Sequence, residues 1–276
     1  MSTEPLVDQF LGMLDDVSTS EQCVQDFLEE HTEFFYPPFE QNHGIEHDLL
    51  VSKFQIDTTL TTDFAYLTKS SARWWLVLVE LEHPSKSILT KAGVASADLT
   101  AAIHQVNTWR THVTRNLHDV IRRIAPLRKP MSHTKVFVKY ALVIGRSKDF
   151  EGNHAKTDAF EGLQRDDLAI LTYDSLVHAY QKSPNTKLDV VCHKKEKFGF
   201  KHRHRTTTDV FSWLTNNDIA LEEDDIAYYK NHGYDIDQWQ RGERLVAGGK
   251  TMATVRNDLT KPTPPSASNL NVSMPS

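Results

Sequence analysis

Asp63, Glu80 and Glu82 are the residues of this chain whose type and spacing point most directly to chemistry. Two of them end the stretch Arg73-Trp74-Trp75-Leu76-Val77-Leu78-Val79-Glu80-Leu81-Glu82-His83-Pro84, an apolar run closed by two acids and a proline. Its aromatic and β-branched content predicts a buried strand, and it is too short for a membrane span. Strand side chains alternate, so Glu80 and Glu82 share one face and Leu81 takes the other. Two acids on one face of a core strand are costly unless water, a proton or a cation relieves them. Asp63 lies on the preceding strand-like segment Thr61-Thr62-Asp63-Phe64-Ala65-Tyr66-Leu67. If the two strands pair, three carboxylates converge, and a hard divalent cation takes such oxygen donors. The Glu-x-Glu alone would read as a solvated strand end; the third acid and a helix downstream carry the argument further.

That helix is expected over residues 97–125, where Leu99, Ala102, Ile103, Val106, Val113, Leu117, Val120 and Ile124 recur near helical spacing and Pro126 follows. Gln105 and Trp109 fall four residues apart on one of its faces. Packed across the acidic strand, the helix could aim the Gln105 amide at a bound water or phosphate, with Trp109 filling the gap beneath. Upstream, residues 4–36 have a helical pattern, with Ser18-Thr19-Ser20-Glu21 as a capping box, and residues 49–83 read as three strands. Downstream come a central strand at 136–145, a helix around 158–167, a strand at 168–172 and a helix at 173–181. This alternation predicts an α/β fold with a mixed sheet.

With 276 residues the chain can bury one substantial core, and its net charge of −6 excludes a basic nucleic-acid coat but not a local positive groove. The two cysteines, Cys23 and Cys192, have no metal-type spacing and suggest a reducing compartment. The first residues show no basic flank or apolar signal core and no run approaches a membrane helix, so a cytoplasmic location is expected. The basic run 193–205, with Phe198 and Phe200, reads either as a phosphate-contacting hairpin or as solvated surface. His43 with His47, and His202 with His204, lack further ligands at zinc-site spacing. Gly248-Gly249-Lys250-Thr251 lacks a phosphate loop's first glycine, since Arg244 occupies that place.

The ordered series Asp63, Glu80-Leu81-Glu82 and Gln105-x-x-x-Trp109 resembles the PD-(D/E)XK nuclease core with the helix of its RecB-like branch. More closely, residues 79–86 and 101–109 are similar to the Shedu anti-phage nuclease family, as are Phe27-Leu28-Glu29-Glu30-His31, Val143-Ile144-Gly145-Arg146 and Leu171-Thr172-Tyr173-Asp174-Ser175-Leu176. The similarity spans residues 20–180, and nothing in 206–276 carries it. It implies a restriction-endonuclease-like α/β core, a central mixed β-sheet flanked by helices with a small C-terminal appendage. The corresponding division is 1–48 as N-terminal helices, 49–183 as the core, 184–260 as the basic segment with short helices, and 261–276 as a disordered tail.

The implied function is a metal-dependent DNA endonuclease in anti-phage defence. Asp63, Glu80, Glu82 and the Leu81 carbonyl would hold Mg²⁺, with Mn²⁺ as a substitute, and Gln105 would position the attacking water. Lys86, Lys91, Arg110 and Arg146 would contact DNA phosphates. A homo-oligomer is expected, with no organic cofactor and no membrane. One departure stands out: the general motif ends in lysine, where this chain has Glu82. The exchange adds a negative charge, makes the site more dependent on cations, and offers Glu82 as a ligand or general base. It also encourages the alternative of a catalytically degenerate fold that binds DNA ends or a partner.

Overall fold

Leu76, Val77, Leu78 and Val79 are consecutive and all buried, which requires a strand covered on both faces. They belong to β3 (Arg73–Leu81), and β1 (Leu49–Gln55), β2 (Thr61–Lys69) and β4 (Lys135–Val143) complete the centre of the sheet. The computed structural model describes residues 4–246 and 248–251. Further out lie β5 (Leu168–Leu171), β6 (Asp189–Lys194), β7 (Lys197–His202) and β8 (Ile219–Ala220). The sheet has eight strands in the order β5-β4-β3-β2-β1-β6-β7-β8. β3, β4 and β5 run parallel, β2 is antiparallel to β3 and β1, and β1 is parallel to β6. The mixed α/β sheet flanked by helices agrees with the expected fold class.

One face is covered by α3 (Ala97–Ile124), whose Leu99, Ala102, Val106, Trp109, Val113, Val120 and Ile124 pack with Leu76 and Leu78. The other is covered by α1 (Glu4–Asp15), α2 (Glu21–Glu30) and α5 (Tyr173–Lys182). There Phe10, Phe27, Leu28 and Leu176 meet Val77, Val79 and Leu81. Ser96 caps α3, its hydroxyl accepting from the Leu99 N–H at 3.0 Å. Trp109, 1 % exposed, sits at the middle of this layer. Trp109→Ala is expected to cost about 3–5 kcal/mol by the cavity it leaves, as measured by urea unfolding.

Several expectations need correction. The division at residue 183 falls inside one continuous sheet, because β6–β8 extend it through the β1–β6 pairing. Ser20, rather than Ser18, caps α2, accepting from the Cys23 N–H at 3.2 Å, so Glu21 is free for other contacts. Leu117 is exposed, next to the break in α3's helical geometry at Asn116 (φ −125°, ψ 30°). The helix expected at 158–167 is α4 (His154–Glu161), set earlier by its Asn153 cap. The proposed tail 261–276 lies outside the described residues.

Beyond the sheet lie α6 (Val210–Trp213), α7 (Glu223–Asn231), α8 (Ile236–Gln240) and the hairpin β9 (Leu245–Val246) with β10 (Lys250–Thr251). Gly249 belongs to that hairpin, and a Cβ there would stand 2.2 Å from the Tyr234 ring, so its glycine serves packing. The basic run forms the β6–β7 hairpin, and four of its six lysines and arginines are paired with acids: Lys194 with Glu222, Lys201 with Glu29, Arg203 with Asp225 and Arg205 with Asp48. His47 is buried, and burial pushes its pKa down to about 4, which describes a neutral core histidine.

Candidate functional site

The β2–β3 register pairs Phe64 with Val79, so the next step opposes Asp63 to Glu80. Both fall on the α3 side of the sheet, by alternation with Ala65 and Leu78. The strand pairing expected from the sequence therefore brings Asp63 opposite Glu80. The Asp63 carboxylate accepts the Leu81 N–H at 2.8 Å and so closes over the end of β3. Glu80, 8 % exposed, accepts a hydrogen bond from the Gln105 amide on α3. That amide was expected to face a water or phosphate; in this structure its partner is the carboxylate itself. Burial, then the negative charges of Asp63 and Glu82, push the Glu80 carboxyl up to about 9. Near neutral pH this group keeps its proton unless a cation arrives.

Glu82 is placed differently from its neighbour. Its carboxylate pairs with Lys86, four residues on, and Lys86 also reaches Glu21 at 3.1 Å. Burial raises the Glu82 carboxyl, against the pull of Lys86. Burial lowers the Lys86 ammonium, but its bonds to Glu82 and Glu21 outweigh this and hold it above its ordinary value. Glu21 accepts the His83 N–H at 2.9 Å as well, docking the start of α2 on the turn after β3. The backbone of this turn is fixed from two further sides. The Tyr173 hydroxyl donates to the Glu82 carbonyl at 2.8 Å. Gly145 (φ +62°) lets the end of β4 approach so closely that a Cβ there would lie 2.4 Å from the Lys86 carbonyl.

Two participants were missed in the sequence. Glu21 is a fourth acid, close enough to raise Glu80 and Glu82 further. Lys53 is the second: its ammonium stands 2.7 Å from the other Asp63 oxygen. Lys53 has a left-handed backbone (φ +48°) inside β1, at a cost of about 1–2 kcal/mol for a residue with a Cβ. The turn switches strand parity, since Leu49 and Val51 before it and Phe54 and Ile56 after it join the same core face. That switch is the one sequence signal: the apolar spacing runs 49, 51, 54, 56 and skips a beat at 53.

The four expected phosphate contacts divide. Lys86 is within the acid cluster, and Lys91 is exposed in the loop before α3 with no ion-pair partner among the described residues. Arg110 instead bonds Asp167 at 2.9 Å and stacks over Tyr140, while Arg146 ties Asp15 (2.6 Å) to Asp174 (2.8 Å). Both arginines are spent on the fold.

The donor chemistry suits a hard cation: two carboxylates opposed on one face, one of them a buried acid that cannot ionise cheaply alone. Among the described residues, no three His, Cys, Asp or Glu side chains are gathered into a finished cage. The ammonium groups of Lys53 and Lys86 balance the acids instead.

An α/β sheet with opposed acids at the ends of two central strands, crossed by a glutamine-bearing helix, defines the class of protein. Residues 18–177, well over half of the chain, match the family described as the Shedu protein SduA, C-terminal. The chain belongs to the Shedu family. No curated protein matches it.

Proposed function

We propose that this chain is a metal-dependent DNA endonuclease of the PD-(D/E)XK type, acting in anti-phage defence. The observation that carries the reading is the Asp63–Glu80 pair at the paired ends of β2 and β3, with Gln105 seated on Glu80. Membership of the Shedu family supports the defensive role. A cytoplasmic location belongs to the same proposal; no described helix is long and apolar enough to cross a membrane.

Asp63, Glu80 and the Leu81 carbonyl would hold Mg²⁺ or Mn²⁺, with Glu82 beside them as the base. The cation would supply Lewis-acid charge at the scissile phosphate. Water attacks phosphorus, its proton passes to Glu82, and the P–O bond to the departing sugar oxygen breaks, that oxygen recovering a proton from solvent. Burial raises Glu82 and makes it the better base. Gln105 orients the Glu80 carboxylate. Lys53, released from Asp63, turns its ammonium to the phosphate and restores the positive charge that Glu82 removes from the motif. Lys91 would hold a flanking phosphate. Two copies would serve the two strands, so a homo-oligomer is part of the proposal.

The test is cleavage of linear, nicked and supercoiled DNA with Mg²⁺, beside Asp63→Ala and Glu80→Ala; the wild type should cut and both variants should not. Lys53→Met should lower the rate by about 10²-fold, the scale for one preorganised charge at a transition state. An unchanged rate in single-turnover cleavage would remove Lys53 from the mechanism. One observation favours the second reading, a degenerate fold that binds DNA ends or a partner: Lys53 and Lys86 already neutralise Asp63 and Glu82. DNA binding that survives Glu80→Ala, in a protein that never cleaves with Mg²⁺, would establish that reading instead.

A further inference from the structure

Glu29 is completely buried in the last turn of α2. Burial opposes its charge, and so does the negative end of the helix dipole. A neutral side chain of the same shape would serve the packing at least as well. Two side chains nevertheless donate to its Oε1, Ser52 Oγ at 2.6 Å and Gln25 Nε2 at 3.0 Å, while the Lys201 ammonium at 2.5 Å and the His202 ring at 3.4 Å stand beside Oε2, which accepts no hydrogen bond from the described residues. The first two lead through the sheet to the acid cluster. Ser52 directly precedes the left-handed Lys53. The Gln25 amide lies 3.4 Å from both Ser52 Oγ and the Asp63 carbonyl oxygen. Glu29 thus grips β1 and β2 from the α2 side, at the places where Lys53 and Asp63 meet on the α3 side. Lys201 and His202 come from β7, which lies beyond the family match at residues 18–177.

We propose that Glu29 is a positioning residue that holds Lys53 and Asp63 in register through Ser52 and Gln25. The β6–β7 hairpin, by supplying the counter-charge of Lys201, makes the C-terminal segment a working part of the site. The inference rests on the site reading above, yet its decisive test needs no metal. The Leu81 N–H donates to Asp63 at 2.8 Å and reports the register directly. The Tyr140 N–H, bonded to the Asp167 carbonyl at 2.8 Å, reports the rest of the sheet.

In the metal-free protein, Glu29→Gln and Ser52→Ala should each speed hydrogen exchange at Leu81 by about tenfold relative to Tyr140. Glu30→Gln, an exposed neighbour 3.5 Å from His202, should leave the ratio unchanged. If Leu81 and Tyr140 accelerate together, or neither changes, Glu29 is merely structural and the proposal is overturned. Calorimetric titration with Mn²⁺ gives the companion result, with Glu29→Gln expected to bind about tenfold more weakly than wild type. A wild type that binds no Mn²⁺ would defeat the metal reading, while the exchange ratio would still decide the role of Glu29.

Discussion

Glu80→Gln is expected to reduce Mg²⁺-dependent DNA hydrolysis by at least about 10³-fold while leaving the metal-free protein as stable as wild type, or more stable. The two effects have one cause. Glu80 is buried against Asp63, Glu82 and Glu21, and those neighbours together with burial hold its carboxyl up to about 9. A neutral amide of the same shape keeps an acceptor for Gln105 and removes the cost of holding a proton on Glu80 at pH 8, but offers a cation a far weaker oxygen. Cleavage rates and melting curves in EDTA, measured on the same preparation at pH 8, check both halves. Full activity in Glu80→Gln would remove Glu80 from the site. A large fall in melting temperature would mean that its charge stabilises the fold rather than straining it.

The second large effect is on the pH dependence of stability. Above its ordinary value of 4.5, Glu80 loses its proton in the unfolded chain but keeps it in the native one until about pH 9. The native state therefore binds more protons across that window, and linkage makes metal-free stability fall as pH rises through it. The contribution is fully present below about pH 4.5 and is lost as pH approaches 9. The slope is at most about 1.4 kcal/mol per pH unit for one group.

Two other groups act at lower pH, and the Cys192 thiol, raised from 9.0 by burial, adds a slope of the same sign only as pH nears 9. Asp189, pushed up to about 6 by burial, adds a slope of the same sign below that value, and His47, held near 4, adds the opposite sign between 4 and 6.5. Melting of wild type compared with Glu80→Gln from pH 7 to 8 therefore isolates Glu80. Wild type should lose stability over that range and Glu80→Gln should lose much less. Saturating Mg²⁺ should flatten the wild-type slope, because it binds the ionised form; at a hundredfold excess over Kd the gain is about 2.7 kcal/mol. Identical slopes for wild type and variant in EDTA would contradict the assigned ionisation.

What could be read from the chain was what strand and helix periodicity determine. Alternation alone put Glu80 and Glu82 on one face, and pairing of adjacent strands brought Asp63 opposite Glu80. The spacing of Gln105 and Trp109 set one at the cluster and the other in the core. The Glu82 carboxylate went elsewhere because Lys86, one helical turn's spacing away but in a loop, takes it. Residues whose role depends on distant partners were not legible. Glu21 looked like part of a capping box, yet it reaches across to His83 and Lys86. Arg146 looked available for phosphate, yet Asp15 and Asp174, far away in sequence on either side, claim it. The β1–β6 pairing that brings the C-terminal strands into the sheet joins segments with no local signature in common.

The most direct measurement is an anomalous difference map from crystals soaked in Mn²⁺. A peak about 2.1 Å from carboxylate oxygens of both Asp63 and Glu80, with Lys53 turned away from Asp63, is the expected result. A saturating soak with no peak there, and the Lys53–Asp63 pair intact, would contradict it.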